Sequence, residues 1–128
     1  MGNEAKEIKF TIKLNPVTKK NGSRIITKPF PKLLPSKRYE EYEKACGWFI
    51  GKYKDLKISE PVNVKAIYYR QDRRRIDLCN LHEALCDMLV HYGIIEDDNS
   101  KIVATMDGSK VEYDKEDPRT EVTITWLQ

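Results

Sequence analysis

Three consecutive arginines stand just before a carboxylate at the predicted start of a helix, and more carboxylates follow the predicted end of that helix. The residues are Arg73, Arg74, Arg75 and Asp77, and then Glu96, Asp97 and Asp98. Guanidinium groups hold phosphate oxygens through paired, charge-assisted hydrogen bonds, and carboxylate oxygens are the ligands that Mg²⁺ prefers. This combination predicts metal-assisted chemistry on a polyphosphate backbone.

The two groups of carboxylates can share one ion only if the start of the helix and the loop after it meet in space. The helix carries the chain away, and the strand predicted at Ile102 begins after a few residues of return, so the two segments can meet. A structural alternative stays open, in which Asp77 caps the helix and Asp97 and Asp98 form a turn. The pattern alone favours this alternative.

The bulk composition is that of one globular domain, residues 1–128, with 40% hydrophobic and 34% charged residues. No apolar run approaches the roughly 20 residues that span a bilayer, so we expect no membrane association. The first residues lack the apolar core of a signal peptide. The three cysteines are an odd number without framework spacing, which predicts reduced thiols in a cytosol.

Charge is unevenly distributed along the chain. Nine Lys and Arg residues and no acid lie between Lys9 and Arg38, whereas eleven acids face four basic residues between Glu83 and Glu121. A basic half beside an acidic half is typical of a protein that binds an anionic ligand near a metal ion. Solvated surface charge explains the same distribution equally well. The loop predicted over residues 15–35 is a natural phosphate-binding arm. Its candidate phosphate contacts are Lys19, Lys20 and Arg24.

Hydrophobic periodicity predicts the elements. Strands are expected at Ile8–Leu14, with a short extended or hairpin piece near Arg24–Thr27, and at Val62–Tyr69, Ile102–Met106 and residues 122–126. Helices are expected from Ser36 to about Lys54 and from Asp77 or Leu78 to Tyr92, where Gly93 ends the second one. The predicted fold is α+β, with a mixed sheet of about four strands covered by two helices.

The second helix presents three sides, because each residue advances about 100°. Leucines and a methionine form the core side, and Asn80, Glu83 and Asp87 form a polar side. Cys79, Cys86 and Val90 form a third strip, which is either a subunit interface or covered by a loop. A zinc site on Cys79, His82 and Cys86 is disfavoured because one helix face seldom supplies such a site. Cys79 also lacks a well-placed histidine base for nucleophilic catalysis.

A resemblance to a known family rests on the segment from residue 72 to residue 103. It comprises Arg-Arg-Arg-Ile-Asp-Leu-Cys-Asn-Leu, then Ala84 and Asp87-Met88-Leu89, and then Gly93-Ile94-Ile95-Glu96-Asp97-Asp98. The segment resembles the RusA family of Holliday junction resolvases. Carried over by position, Asp77 and Asp98 match essential acids and Asn80 matches the motif asparagine. Asp97 and Asp87 match acids that recur nearby.

The resemblance implies a homodimeric endodeoxyribonuclease that cuts four-way DNA junctions symmetrically, one strand per subunit, and leaves ligatable ends. It implies Mg²⁺ as the cofactor, with Mn²⁺ as a substitute. It also implies a phage or prophage protein in the cytoplasm of a bacterial host. Arg73, Arg74, Arg75 and the basic loop would then hold the phosphates of the DNA.

Two positions depart from the family pattern. Cys79 stands where a second motif carboxylate is expected, and Glu83 stands where an essential lysine is expected. Because these positions are one helical turn apart, Glu83 either supplies the missing carboxylate to the metal or is simply solvated. The alternative function is a catalytically eroded relative that binds branched or duplex DNA without cutting it. A small basic domain for RNA or protein partners is supported by charge alone.

Overall fold

The computed structural model describes residues 6–19, 24–26, 32–34 and 36–127, with the backbone only for the two short middle ranges. Its strands are β1 (Glu7–Ile12), β2 (Arg24–Ile26), β3 (Lys32–Leu34), β4 (Val62–Arg70), β5 (Val103–Thr105), β6 (Lys110–Tyr113) and β7 (Arg119–Trp126). Its helices are α1 (Lys37–Ile50) and α2 (Leu78–His91), and a 3₁₀ turn, Gly51–Tyr53, follows α1. The predicted α+β class with a mixed sheet and two helices is confirmed.

Strand β4 is the centre of the five-stranded sheet. One edge pairs antiparallel with β7, from Val62 opposite Trp126 to Tyr69 opposite Arg119, and β7 in turn pairs antiparallel with β1. The other edge pairs in parallel with β5 at its beginning and with β6 at its end. Buried side chains alternate along β4 and are continuous near its end, which is typical of a strand covered on both faces.

The sheet has one strand more than the expected four. The missed strand is β6, in which Val111 and Tyr113 are more than a third exposed and alternate with the charged Lys110 and Glu112. Four residues are too short a pattern to predict a strand, and neither apolar residue is buried, so the strand conformation comes from pairing with β4 rather than from local preference. The hairpin expected near Arg24 is confirmed as a separate two-stranded sheet of β2 and β3.

Helix α1 begins where its cap was predicted. Ser36 lies at the N-cap, and its Oγ accepts a hydrogen bond of 3.1 Å from the backbone N–H of Tyr39. The helix ends at Ile50 rather than at Lys54, because Gly51 adopts a φ of +59° and turns the chain into the 3₁₀ segment. The inner side of the helix is core: Tyr39 and Ile50 are buried, and Tyr42 and Phe49 pack against the hydrophobic core.

Gly47 lets α1 approach the end of α2 closely. A Cβ atom at this position would lie 2.8 Å from the Tyr92 hydroxyl oxygen. That hydroxyl donates a hydrogen bond of 2.6 Å to the carbonyl of Glu43. The contact therefore depends on a residue without a side chain.

Helix α2 begins at Leu78 as predicted, ends at His91, one residue before the predicted Tyr92, and has the predicted core side. Four residues of that side are buried in the main hydrophobic core: Leu81, Leu85, Met88 and Leu89. Gly93 follows with a φ of +67°, a left-handed conformation that favours glycine. The third strip is not a continuous exposed face, because Cys86 is buried in the core and Val90 is half-buried, so only Cys79 is exposed.

A buried hydrogen bond joins the sheet to α2. The Tyr68 hydroxyl on β4 lies 2.7 Å from Nδ1 of His82 on α2. The other ring nitrogen of His82, Nε2, is buried and has no hydrogen-bond partner in the part of the chain that the structure describes. Burial lowers the pKa of His82 below its ordinary value, since the charged ring loses hydration.

The first prediction concerns the cap of α1. Replacing Ser36 by Ala removes the acceptor for the Tyr39 N–H and should lower the free energy of unfolding by about 0.5–2 kcal/mol. The control is Ser59→Ala at an exposed position, which should change it by less than about 0.5 kcal/mol. Urea denaturation followed by circular dichroism measures both. Equal effects of the two substitutions would contradict the capping role.

The second prediction concerns pH. Because the folded protein holds the pKa of His82 below its unfolded value of about 6.5, the unfolded chain binds this proton more readily. Stability is therefore fully present above about pH 6.5 and falls as the pH drops below it, by at most about 1.4 kcal/mol per pH unit. His82→Gln should flatten this dependence between pH 7 and pH 5.5, whatever it does to stability itself.

The control is His91→Gln, since the His91 side chain is 55% exposed. It should leave the pH dependence of the parent unchanged in the same urea titrations, carried out with a chelator present. An unaltered slope in the His82 variant would show that other groups cause the dependence.

Candidate active site

Three cavities lie along the segments that carry the predicted site residues. The first, here called the arginine cavity, has a volume of about 310 Å³ and includes Arg70, Arg73 and Arg74 in its lining. The second, the Asp77 cavity, measures about 420 Å³ and is lined by Thr18, Arg75, Ile76, Asp77 and Asn80. The third, the Asp98 cavity, measures about 450 Å³ and includes Cys79, Glu83 and Asp98 in its lining. The predicted acids are thus divided between two cavities.

Asp77 stands at the N-cap of α2 without using its side chain as a cap. Its carbonyl accepts hydrogen bonds from the backbone N–H groups of Asn80 and Leu81, but its carboxylate makes no capping bond. The carboxylate instead accepts a bond of 3.3 Å from the Asn80 side-chain amide. Asp77 is exposed and lines the cavity, and its hydrogen-bond partner Asn80 lies one turn along the helix.

Asp97 and Asp98 have different surroundings although they are adjacent. The Asp97 carboxylate accepts bonds from the Asn99 side chain at 2.9 Å and from the Asp98 backbone N–H at 2.8 Å. These bonds lower the pKa of Asp97 because they favour its charged form. Asp97 therefore shapes the turn, while the side chain of Asp98 lines the cavity.

The Asp98 cavity brings Glu83 and Cys79 together with Asp98. Glu83 and Cys79 lie one turn apart on α2, and the apolar walls come from Leu78, Val103 and other buried or half-buried side chains. Asp98 is also close enough to Cys86 to raise the pKa of that thiol, which burial already raises, to about 12. The cavity combines two carboxylates with a largely apolar wall.

The donor atoms suit magnesium. Within the described residues, no three His, Cys, Asp or Glu side chains are grouped closely enough to hold a metal by themselves. Mg²⁺ does not require such a group, since it is commonly held by one or two carboxylates together with water and substrate phosphate. Glu83 and Asp98 supply two carboxylates in one cavity, so the residues present fit this ion.

The arginine triplet is divided between cavities. Arg75 lines the Asp77 cavity, whereas Arg73 and Arg74 line the arginine cavity, where the Arg73 guanidinium lies 4.1 Å from the ring centre of Tyr113. Sequence reasoning missed Arg70, whose Nη1 donates a bond of 2.9 Å to the Arg74 carbonyl. Its position at the end of the strand that leads into the arginine triplet could have identified it as a site residue.

Lys19 of the basic loop contacts α2. Lys19 Nζ lies 2.6 Å from the Asp87 carboxylate and 5.7 Å from the ring centre of Tyr39. Arg24 lies in β2, where only the backbone is described. Lys20, also predicted to contact DNA, lies outside the described residues.

Thr18 also lines the Asp77 cavity and was not predicted from the sequence. It is buried, with 5% of its surface exposed. The separation of Thr18 from the acids in the sequence does not indicate that they are close in space, because the contact depends on how the loop returns to α2.

One comparison with known proteins identifies a family. The model of one family, described as Endodeoxyribonuclease RusA, matches residues 10–125, whereas no curated protein matches the chain. None of the described helices is long and apolar enough to cross a membrane. The family match extends from β1 to β7 and includes the three cavities, which confirms the resemblance noted in the sequence. The chain belongs to the RusA family of endodeoxyribonucleases.

Proposed function

We propose that the protein is a magnesium-dependent endonuclease that resolves four-way DNA junctions by hydrolysing phosphodiester bonds. The observation that carries this proposal is the meeting of Glu83 and Asp98 in one cavity of a chain that belongs to a nuclease family. Asp77 precedes the first residue of the same helix, and arginines line the neighbouring cavities. The acids and the cations are thus arranged along one segment of the surface.

The proposed metal ligands are Asp98 and Glu83, which line one cavity, with Asp77 reaching the ion through bound water or the DNA phosphate, and Mn²⁺ should replace Mg²⁺. When bound, the ion supplies an activated water and neutralises charge on the transferring phosphoryl group. The Asn80 amide orients the Asp77 carboxylate by a direct hydrogen bond. Asp97 assists as a positioning residue, because its bonds within the turn fix the backbone from which the Asp98 side chain projects.

Glu83 replaces the carboxylate that is missing at position 79. Both side chains line the same cavity, so a carboxylate from position 83 can approach the place that a shorter acid at position 79 would reach. A thiol is a poor ligand for a hard cation such as Mg²⁺. The relocated acid therefore preserves the oxygen-rich donor set.

The DNA contacts in this proposal come from the arginine triplet and the basic loop. Arg73, Arg74 and Arg75 would hold phosphates on either side of the acids. Lys19, Lys20 and Arg24 would extend the contact. Two symmetric cuts in a four-way junction require two active sites, so the acting species is a homodimer. Phage or prophage origin and action in the cytoplasm of a bacterial host rest on the family alone.

A second candidate function is binding of branched or duplex DNA without cleavage. The observation that favours it is that the described residues contain no ready-made group of three metal-binding side chains. In this alternative, Cys79 and Glu83 mark an active site that has lost its activity.

The third prediction tests the enzyme. Asp98→Asn removes a charged metal ligand and should slow cleavage of a synthetic four-way junction in Mg²⁺ by about 10²-fold or more. The affinity for the junction in a chelator should stay within about threefold of the parent, because the contacts to phosphates remain. The matched control is Asp107→Asn, an exposed aspartate in the turn before β6, which should cleave like the parent. Parent protein that never cuts the junction would exclude the enzyme.

The fourth prediction separates the two candidates. If Glu83 is a ligand, Glu83→Gln should reduce cleavage by about 10²-fold or more, and Cys79→Asp in that variant should restore part of the rate. Gel-based cleavage assays with Mg²⁺ measure both. If instead the parent is inactive and Cys79→Asp alone creates activity, the eroded-site alternative is correct.

A further inference from the structure

The arginine cavity has features that neither the acids nor the family match explains. Its lining includes Arg70, the last residue of β4, and Tyr113, the last residue of β6. The two are neighbours because the parallel pairing of β4 with β6 places Arg70 opposite Tyr113. The site is therefore built on two strands of the sheet, which fix its shape.

Arg70 is a buried cation with part of its hydrogen-bonding capacity unused. Its side chain is only 11% exposed. Its Nη1 is held by the Arg74 carbonyl at 2.9 Å and lies 3.7 Å from the Asp72 carboxylate. Its Nε is buried and has no hydrogen-bond partner among the described residues. A buried donor without an acceptor is unusual and unfavourable in a folded protein.

The unused donor belongs to the edge of the guanidinium that recognises oxyanions. Nε–H and one Nη2–H point in parallel and can bind two oxygens of one phosphate. Nη1 of Arg70 is already held by the protein, whereas the buried Nε has no partner among the described residues. A ligand oxygen can pair with this edge once the cavity wall shifts enough to expose Nε. Arg70 is thus fixed at one end in a way that orients the other.

The charges of the cavity favour an anion. Two carboxylates also line it, Asp72 and Glu112, but both have partners in the protein. Asp72 accepts a bond of 2.9 Å from the Arg74 backbone N–H in addition to its approach to Arg70. Glu112 lies 3.0 Å from Lys110. Three guanidinium groups therefore dominate the cavity, which is near the lower end of the roughly 300–1,000 Å³ typical of ligand sites.

Tyr113 forms a wall that presents a second arginine. Its ring has the Arg73 guanidinium 4.1 Å from its centre, a cation–π contact that holds the charge in place. Tyr113 itself remains 38% exposed. Arg70 and Arg73 both line the cavity that a ligand would enter.

We propose that the arginine cavity is a phosphodiester-binding subsite in which the Nε–Nη2 edge of Arg70 grips the non-bridging oxygens of a phosphate, with Tyr113 and Arg73 as its wall. The assignment of that phosphate to a DNA strand beside the cleaved one rests on the proposed function. Phosphate binding by the cavity does not rest on it.

The test follows the Arg70 Nε–H signal by NMR in the full-length protein, assigned by its loss in Arg70→Lys. Inorganic phosphate and, separately, a four-way junction in a chelator should each shift this signal and saturate. Arg70→Lys, which keeps the charge but loses the paired donors, should weaken junction binding by about tenfold. The matched control is Arg38→Lys at an exposed position on α1, which should leave the affinity unchanged. Tyr113→Leu gives the same comparison if the Arg70 variant does not fold.

Each outcome decides something different. An Arg70 signal that neither ligand shifts, or parental junction affinity in both Arg70→Lys and Tyr113→Leu, overturns the subsite. A shift with inorganic phosphate but not with the junction limits the site to small phosphates and overturns its assignment to DNA. Junction binding at this site without cleavage in Mg²⁺ supports the subsite and rejects the nuclease. Cleavage of the junction without a shift of the Arg70 Nε–H signal supports the nuclease and rejects the subsite.

Discussion

Hydrogen bonding along both edges of β4 is the constraint on which the rest of the structure depends. A one-residue slip of this strand would move its buried side chains to the wrong face, and three strands hold it in register at once. Its end at Arg70 is fixed further by the Asp114 N–H, which donates to the Arg70 carbonyl at 2.8 Å. The chain from there to Asp77 starts from a fixed point, and the Tyr68–His82 bond ties α2 to the same strand. The positions of the three cavities therefore depend on β4.

The acids of the second half of the chain serve two purposes. Arg119 is held by Asp114 at 2.9 Å and by Glu121 at 2.8 Å, and its guanidinium stacks 3.8 Å from the ring centre of Tyr69. These acids fix Arg119 at the start of β7. By contrast, the carboxylates of Asp77 and Asp98 line cavities. The acids that cause the charge imbalance in the sequence therefore form two groups. One group stabilises the structure, and the other is available for chemistry.

Sequence periodicity predicted the elements that have a hydrophobic face of their own. Both helices, their limits at Ser36 and Gly93, and the buried strand from Val62 onward are local signals. Strand β6 was missed because its pairing with β4 is a long-range contact and its own residues are mostly exposed. The acids were identified individually, but their division between two cavities depends on how residues 94–103 return along α2. That path is set by burial of Ile94, Ile95 and Ile102 and has no signature near the acids themselves.

The three thiols of the chain differ sharply in their environment. Burial raises the pKa of Cys46 and Cys86 to about 12, so neither forms appreciable thiolate at neutral pH, whereas Cys79 is exposed at the rim of the Asp98 cavity. Alkylating reagents react with thiolates that they can reach. A maleimide dye or a nitroxide spin label would therefore attach at one native position beside the acids. Fluorescence or electron paramagnetic resonance could then measure distances from this point to labelled DNA, or between two copies of the chain, without removing any cysteine.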